Sequence, residues 1–251
     1  KLEKTYLHFD FIIGADGINS LSRQKFFYNN SPHFLNQVAY RTLIESNKLP
    51  ERFSENKTLL LFGSGKHVVS YPIKKFSYTN FVFCIDSQGF QLDDWNKKVN
   101  PQELINNFSD FQMLQDVFDK ITLVKKWGLF DYPILKKWYK NRIILVGDAC
   151  HPILPYLAQG ASQAIEDSFV LCQYMNDNCF KNNPSFFLEK YSKKRFKRIL
   201  KIKKASKKNA ILYHIKNPIL KFLFHFSLRT GGYFPNFLLQ RFAWIYKGGP
   251  A

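Results

Sequence analysis

Two aspartates, each set among glycines at the end of an apolar run, have the types and spacing that could do chemistry. "RIILVGDACHPILPYLAQGASQAIED" begins at Arg142; the run Ile143 to Val146 breaks at Gly147 and Asp148, two prolines and Gly160 outline a loop, and Ala161 to Asp167 opens a helix. An aspartate at the carboxyl end of a buried strand can accept hydrogen bonds from the hydroxyls of a ribose or ribityl chain. Gly160 lets main chain come close to a flat ring, and the first free N–H groups of a helix, at Ala161 and Ser162, offer a positive dipole end to an anion. Upstream, "DFIIGADGINSLSR" has the same plan, an apolar run Tyr6 to Ile13 ended by Gly14 and a tight turn at Asp16 and Gly17. His67 and Tyr71 lie four apart in "HVVSY", so in a strand both face one side, and an unperturbed histidine titrates near neutral pH. His151, in a turn before Pro152, reads as a structural hydrogen-bonding residue.

The elements that must position these residues follow from the pattern. Tyr6 to Ile13 and Ile143 to Val146 predict buried strands. Between them, "QVAYRTLI", "TLLLF", "HVVSYPI" and "NFVFCI" are short, β-branched and aromatic, which predicts an antiparallel sheet. "PQELINNFSDFQMLQDVFDKI" has Pro101 at a first helical position and predicts one or two helices on that sheet, "ITLVKKWGLFDYPI" returns to strand, and the chain beyond Pro184 is helical. The fold class is therefore α/β (α+β): a partial Rossmann-like nucleotide-binding layer, residues 1–30 and 136–182, interrupted by an antiparallel-sheet domain, 31–135, and followed by C-terminal helices, 183–251.

Composition bounds the rest. With 251 residues, 45% of them hydrophobic, the chain is globular. Cys84, Cys150, Cys172 and Cys179 fit neither a disulfide framework nor a CxxC metal site, which predicts free thiols in a reducing, cytoplasmic compartment and no metal. The apolar stretch from Asn217 is cut by Lys221, His225 and Arg229, so no membrane insertion is expected. The net charge of +18 is uneven: Glu189 to Lys208 holds eleven Lys or Arg and one acid, and is expected to be a solvated helix face with no nucleic-acid partner.

Together, "DFIIGADGINSLSR" and "GDACHPILPYLAQGASQAIEDS" resemble the second and third signature motifs of the FAD-dependent aromatic hydroxylases. "GKHVVSYPI", "KWGLFDYPILKKWYKNRIILVGDACHP" and "FAWIYKG" are similar to the salicylate-hydroxylase branch, so the resemblance runs from Asp10 to about Lys247. It implies that Asp148, with Gly147, binds the flavin ribityl chain, and that Asp16 and Gly17 lie near the pyrophosphate. Pro155 and the turn through Gly160, Ala161 and Ser162 border the flavin ring, with Arg41 near it. His67 and Tyr71 match a site-lining pair that handles the proton of a phenolic substrate. For mechanism, the resemblance implies that NAD(P)H would reduce FAD, O2 would add at flavin C4a, and the hydroperoxide would hydroxylate an electron-rich small aromatic substrate. Ala158 stands where many members carry glycine, and Cys150 replaces a usual alanine. The family's first motif, a GxGxxG, has no counterpart; "FGSGK" at Phe62 lacks the third glycine. The resemblance therefore implies that part of the cofactor layer precedes Lys1 and that the chain expressed as given neither holds FAD nor hydroxylates. Two other readings stay open: a ubiquinone-pathway-type flavin hydroxylase in weak contact with a membrane surface, and a basic binding module without chemistry.

Overall fold

The computed structural model describes residues 7–27, 32–87 and 97–247, and these divide into two compact units. The first takes the described residues up to His33, Asp131–Asn209 and those from Phe234 onward; the second takes Phe34–Phe130 and Ala210–Tyr233. The sheet domain thus interrupts the first unit, while the C-terminal helices form no unit of their own and are divided between the two.

In the first unit, strand β1 (Ile12–Gly14) runs parallel to β9 (Ile143–Leu145), and β8 (Tyr139–Lys140) pairs antiparallel with β9 on its other side. The helices are α1 (Leu21–Phe26), α5 (Gly160–Met175), α8 (Pro235–Lys247) and the larger part of the 30-residue α6 (Pro184–Tyr213). Trp138, Ile144, Leu145, Val170, Leu188 and Tyr191 make its core. The central strand β9 is buried as its continuous apolar run predicts, with Ile144 and Leu145 fully covered. β1 departs from expectation. It is three residues long, among the described residues it is an edge strand bonded only to β9, and Ile12 and Ile13 are about half exposed, as are Leu7 and Phe9 before it to a greater degree. An apolar run becomes a buried strand only where elements cover both faces, and among the described residues nothing covers this one fully.

The second unit holds a six-stranded sheet in the order β3 (Leu59–Phe62), β4 (Lys66–Ile73), β5 (Tyr78–Asp86), β2 (His33–Glu45), β7 (Val124–Asp131), β6 (Lys97–Val99). Helices α2 (Glu51–Ser54), α3 (Pro101–Phe108), α4 (Gln115–Phe118) and α7 (Pro218–Gly232) accompany it. α3 starts where Asn100 accepts the Gln102 N–H and Pro101 needs no donor. One sheet face carries Val38, Tyr40, Val68, Phe81 and Phe83 into a core with Leu104, Phe108 and Leu114. The alternate residues therefore point to the opposite face.

The connection from β9 to α5 contains two 3-10 turns, Gly147–Ala149 and Pro155–Leu157, and then Ala158 in the left-handed region at φ 51°. A Cβ there costs about 1–2 kcal/mol. Glycine removes that cost but gives the unfolded chain more freedom, so Ala158→Gly should stabilise the protein by a net ~0.5–1 kcal/mol. The measurement is a urea titration, in which the midpoint rises at unchanged slope; a lower midpoint would show that the loop does not strain this residue.

Candidate functional site

The parallel register sets the two aspartate motifs side by side. Gly14 lies opposite Leu145, Val146 N–H donates to Gly14 O at 3.0 Å, and both strands end at the same edge of the sheet. Asp16 and Asp148 follow directly from those two carboxyl ends. Asp16 is largely committed to local structure: Ser20 Oγ donates to it at 2.5 Å and Ser22 N–H at 2.9 Å, while Ser20 caps α1 by accepting the Arg23 N–H. Those hydrogen bonds outweigh its partial burial and hold its pKa below the ordinary aspartate value. Gly17 follows in the turn at φ 76°.

Side chains from α1, α5 and α6 hold the loop after β9. Asp167, fully buried on α5, accepts the Gly147 N–H at 2.9 Å and faces His151 Nε2 at 2.5 Å through one oxygen, and accepts Arg195 Nε at 2.7 Å through the other. Burial alone would raise its pKa, but the His151 hydrogen bond and the Arg195 charge outweigh it, and the carboxyl sits below its usual range. Gly147 takes φ 59°, and a Cβ on it would come within 3.1 Å of Ala164 Cβ, so only glycine lets this turn pack on α5. Its N–H is spent within the protein. Arg23, buried within α1, donates to Cys150 O and Pro133 O at 2.9 Å each.

A ladder from α6 holds the loop's next stretch. Lys203 Nζ donates to Pro152 O at 2.9 Å, Ser206 Oγ to Leu154 O at 2.8 Å and Asn209 Nδ2 to Tyr156 O at 3.2 Å. Three residues per step on the helix match two per step on the extended loop. With every second carbonyl taken inward, Asp148, Pro155, Ala158, Ala161 and Ser162 are left exposed. No side chain caps α5, and a Cβ on Gly160 would meet nothing within 4 Å. The outer side of the loop is thus a carboxylate, open main chain and a helix N-terminus.

This corrects the reading of the basic segment as a solvated face. Arg195 and Lys203 are 1% and 5% exposed. Arg195 also pairs with Glu166 at 2.7 Å, Arg198 shares that carboxylate at 2.5 Å, and Lys203 pairs with Asp131 at 2.9 Å. The remaining lysines, such as Lys193, Lys197, Lys201, Lys204 and Lys208, are exposed.

In the second unit the register gathers the other predicted residues on one sheet face. Tyr71 lies opposite Asn80, His67 opposite Cys84, and Arg41 opposite Val82, which itself faces Val69. Arg41 Nε donates to Asn80 Oδ1 at 2.6 Å, and Asn80 Nδ2 is buried with no partner of its own. Arg41 is exposed, Tyr71 half-buried and His67 2% exposed. His67 departs from the ordinary histidine assumed from sequence. Burial, and then the neighbouring His214, push its pKa down to about 3, so it rests neutral. Its Nδ1 meets His214 Nε2 at 2.9 Å, and His214 Nδ1 meets Asp86 Oδ1 at 2.6 Å. Sequence reading missed His214, Asp86 and Asn80, and in the first unit Arg23, Asp167 and Arg195. Arg23 and Asp167 carry one available signal, a charge inside a motif whose neighbours are small or apolar; His214, 147 residues from His67, carries none.

A family model described as "FAD binding domain" matches residues 2–206. The chain is 30% identical over 238 residues to a 3-amino-4-hydroxybenzoate 2-monooxygenase of Streptomyces platensis, and 30% identical over 240 residues to a 3-hydroxybenzoate 6-hydroxylase of Aquipseudomonas alcaligenes. Each alignment takes in 94% of this chain and 58% of the relative, so the chain spans less than two thirds of their length. A solved salicylate hydroxylase in a substrate complex superposes with a TM-score of 0.77 at 24% identity, over 95% of this chain and 61% of that one, which shows a shared fold.

The buried cluster on α5 and α6 is open to test without any ligand. Asp167→Asn leaves Arg195 with Glu166 as its remaining carboxylate and weakens the charge-assisted bonds to Arg195 and His151, so stability should fall by roughly 1.5–3 kcal/mol in a denaturant titration. Because the folded pKa of Asp167 lies below its ordinary 3.8, its contribution is complete above that value and is lost as pH falls through the folded pKa. The wild-type stability profile should therefore drop more steeply below about pH 4 than that of the variant. A variant as stable as wild type would remove Asp167 from the centre of the loop.

Proposed function

The chain belongs to the FAD-binding-domain family of flavoproteins, and from that premise we propose that it serves an FAD-dependent monooxygenase that hydroxylates a small aromatic ring, with NAD(P)H and O2 as co-substrates. The observation that carries this reading is the outer side of the β9–α5 loop, where Asp148, the uncapped α5 N-terminus and the open space before Gly160 stand together at the carboxyl end of a parallel strand pair. These residues fit the group. Asp148 would accept from ribityl hydroxyls, the N–H groups of Ala161 and Ser162 would face the anionic side of the ring or chain, and Pro155 and Gly160 would border the ring plane. FAD supplies the activated oxygen when bound and reduced. Gly147 and Asp16 act one step back, shaping the turns that hold these groups. Within the second unit, Arg41, His67 and Tyr71 share one sheet face and are the residues we assign to the substrate. His67, neutral at rest, accepts the proton of a phenolic substrate, whose ring becomes more electron-rich as phenolate. Hydroxybenzoates, named for the two relatives, set the expected substrate class, and free Cys84, Cys150, Cys172 and Cys179 suit a cytoplasmic setting.

The full gene product should show the two-band absorbance of oxidised flavin. Asp148→Ala should weaken FAD by ~2–3 kcal/mol through lost charge-assisted hydrogen bonds, read by fluorescence titration of the flavin. A colourless, folded protein would return the chain to the class of binding modules.

One observation favours a second reading, a hydroxylase that works against a membrane surface. No helix among the described residues is long and apolar enough to cross a membrane. Yet Ile219, Leu220, Phe222, Leu223 and Phe226 on α7 are each more than half exposed. Sedimentation with anionic liposomes separates the forces: binding through apolar side chains persists at about 0.5 M salt, whereas binding through exposed lysines is screened away. Loss of binding at high salt is the outcome expected from the primary reading.

A further inference from the structure

The outer face of α6 carries charge that the β9–α5 loop does not take up. Every exposed residue from Lys190 to Lys208 is a lysine, and Lys190, Lys194, Lys197, Lys201, Lys204 and Lys208 follow one another at alternating steps of four and three. At about 100° per residue that spacing keeps them within an arc of roughly 80°, along about 27 Å of helix. The buried residues Arg195, Ile199, Ile202 and Ser206 point the opposite way. The remaining exposed lysines of this stretch, Lys193 and Lys207, flank the stripe and are paired, with Glu189 at 2.6 Å and with Asp131 at 2.5 Å. No Asp or Glu follows Glu189 in the sequence.

We propose that this stripe is a docking surface for an anionic lipid bilayer, drawn to the headgroups by charge and released by salt. It is independent of the hydroxylase reading and of the apolar side chains of α7. Lysines three and four apart repel one another along a helix, and a plane of negative headgroups relieves that repulsion at all six positions at once. A bilayer fits better than the other common polyanion, nucleic acid. The stripe runs along the convex side of a single helix, so it matches a plane and offers no groove that would track a nucleic-acid strand. Its cations are all lysines, point charges suited to a diffuse field, whereas the arginines that could grip phosphates through two bonds each, Arg195 and Arg198, are turned in on Glu166. Aromatic rings adjoin it, as they do at membrane–water interfaces. Lys190 Nζ lies over the Phe186 ring at 4.2 Å and Lys201 Nζ over that of Trp244 on α8 at 4.0 Å, and Tyr246 on α8 is 74% exposed. Each lysine held near an anionic surface strengthens attachment about fivefold, so a stripe of this size gives binding that is firm at low salt and reversible.

The test is sedimentation of the full gene product with vesicles of equal parts phosphatidylserine and phosphatidylcholine. At about 0.1 M salt it should bind them and leave pure phosphatidylcholine vesicles alone, and at about 0.5 M salt it should be released. The triple variant Lys197→Gln, Lys204→Gln, Lys208→Gln should bind about 10²-fold more weakly with an unchanged urea midpoint, and Lys204→Gln alone about fivefold more weakly. A control that removes the same charge from exposed lysines of the second unit, Lys75→Gln, Lys98→Gln, Lys120→Gln, should lose less than about tenfold. Equal losses in the two triple variants would reduce the effect to net charge and overturn the site, as would a wild type that ignores the anionic vesicles. If duplex DNA or single-stranded RNA displaces the protein from the vesicles, and the stripe variant loses that binding, the stripe belongs to nucleic acid and the bilayer assignment falls. Binding that survives about 0.5 M salt in wild type and stripe variant alike would give the attachment to the apolar side chains of α7 instead. None of these readouts involves flavin, so the hydroxylase reading stands or falls separately.

Discussion

A single carboxylate, that of Asp167, holds three things at once that would otherwise come apart: the turn at Gly147, the ring of His151 and the guanidinium of Arg195. Each partner is buried or half in the main chain, so none has water to fall back on. A buried ion pair by itself adds little net stability, because desolvation consumes most of the attraction. The arrangement here does something other than stabilise. By taking the Gly147 N–H inward it forces β9 to end in a turn at that residue, and the next residue, Asp148, has only the outer side left to occupy. Arg23 makes the same point from α1, the helix after the neighbouring strand, by gripping the carbonyls of Cys150 and Pro133. The exposed carboxylate of the proposed flavin site is thus a consequence of a buried one nineteen residues later in the chain.

How much of this was legible in the sequence depends on how far each residue's partner lies from it. The strand Ile143 to Val146, the helix opening at Ala161 and the common face of His67 and Tyr71 follow from local periodicity and turn chemistry; in the structure the strand is Ile143–Leu145, the helix starts one residue earlier at Gly160, and the two side chains share a face. What failed were statements about environment. Tyr6 to Ile13 has the composition of a buried strand, but burial belongs to the neighbours of a strand, and β1 has one. Histidine carries its pKa of 6.5 only in water, and the residue that joins with burial to lower it at His67 lies on α7's approach, after α6 has ended. The lysines and arginines from 190 to 208 read as one charged face because charge is visible in sequence and its partner is not. Glu166, Asp167 and Asp131 divide that run into cations that build the loop and cations that meet solvent.

The second unit shows the same separation of labour between two faces of one sheet. Phenylalanines and aliphatic residues fill the side packed by α3 and α4, and on the other side the polar residues Arg41, Asn80, His67 and Tyr71 occupy alternating positions of three adjacent strands. Register is what makes them a group, since a slip of one residue in β4 would send His67 and Tyr71 into the apolar core and bring Val68 and Ser70 out.

The ladder from α6 has a consequence for how such a protein can change over generations. Lys203, Ser206 and Asn209 grip carbonyl oxygens, which every amino acid possesses, and so they hold the path of the loop without regard to its side chains. Ile153 and Pro155 between the rungs, and Leu157 just past the last, can be exchanged while the main chain stays where it is, and with them the shape and polarity that the loop presents outward. Variation in what is recognised and invariance in where it is recognised are thereby assigned to different atoms of the same six residues.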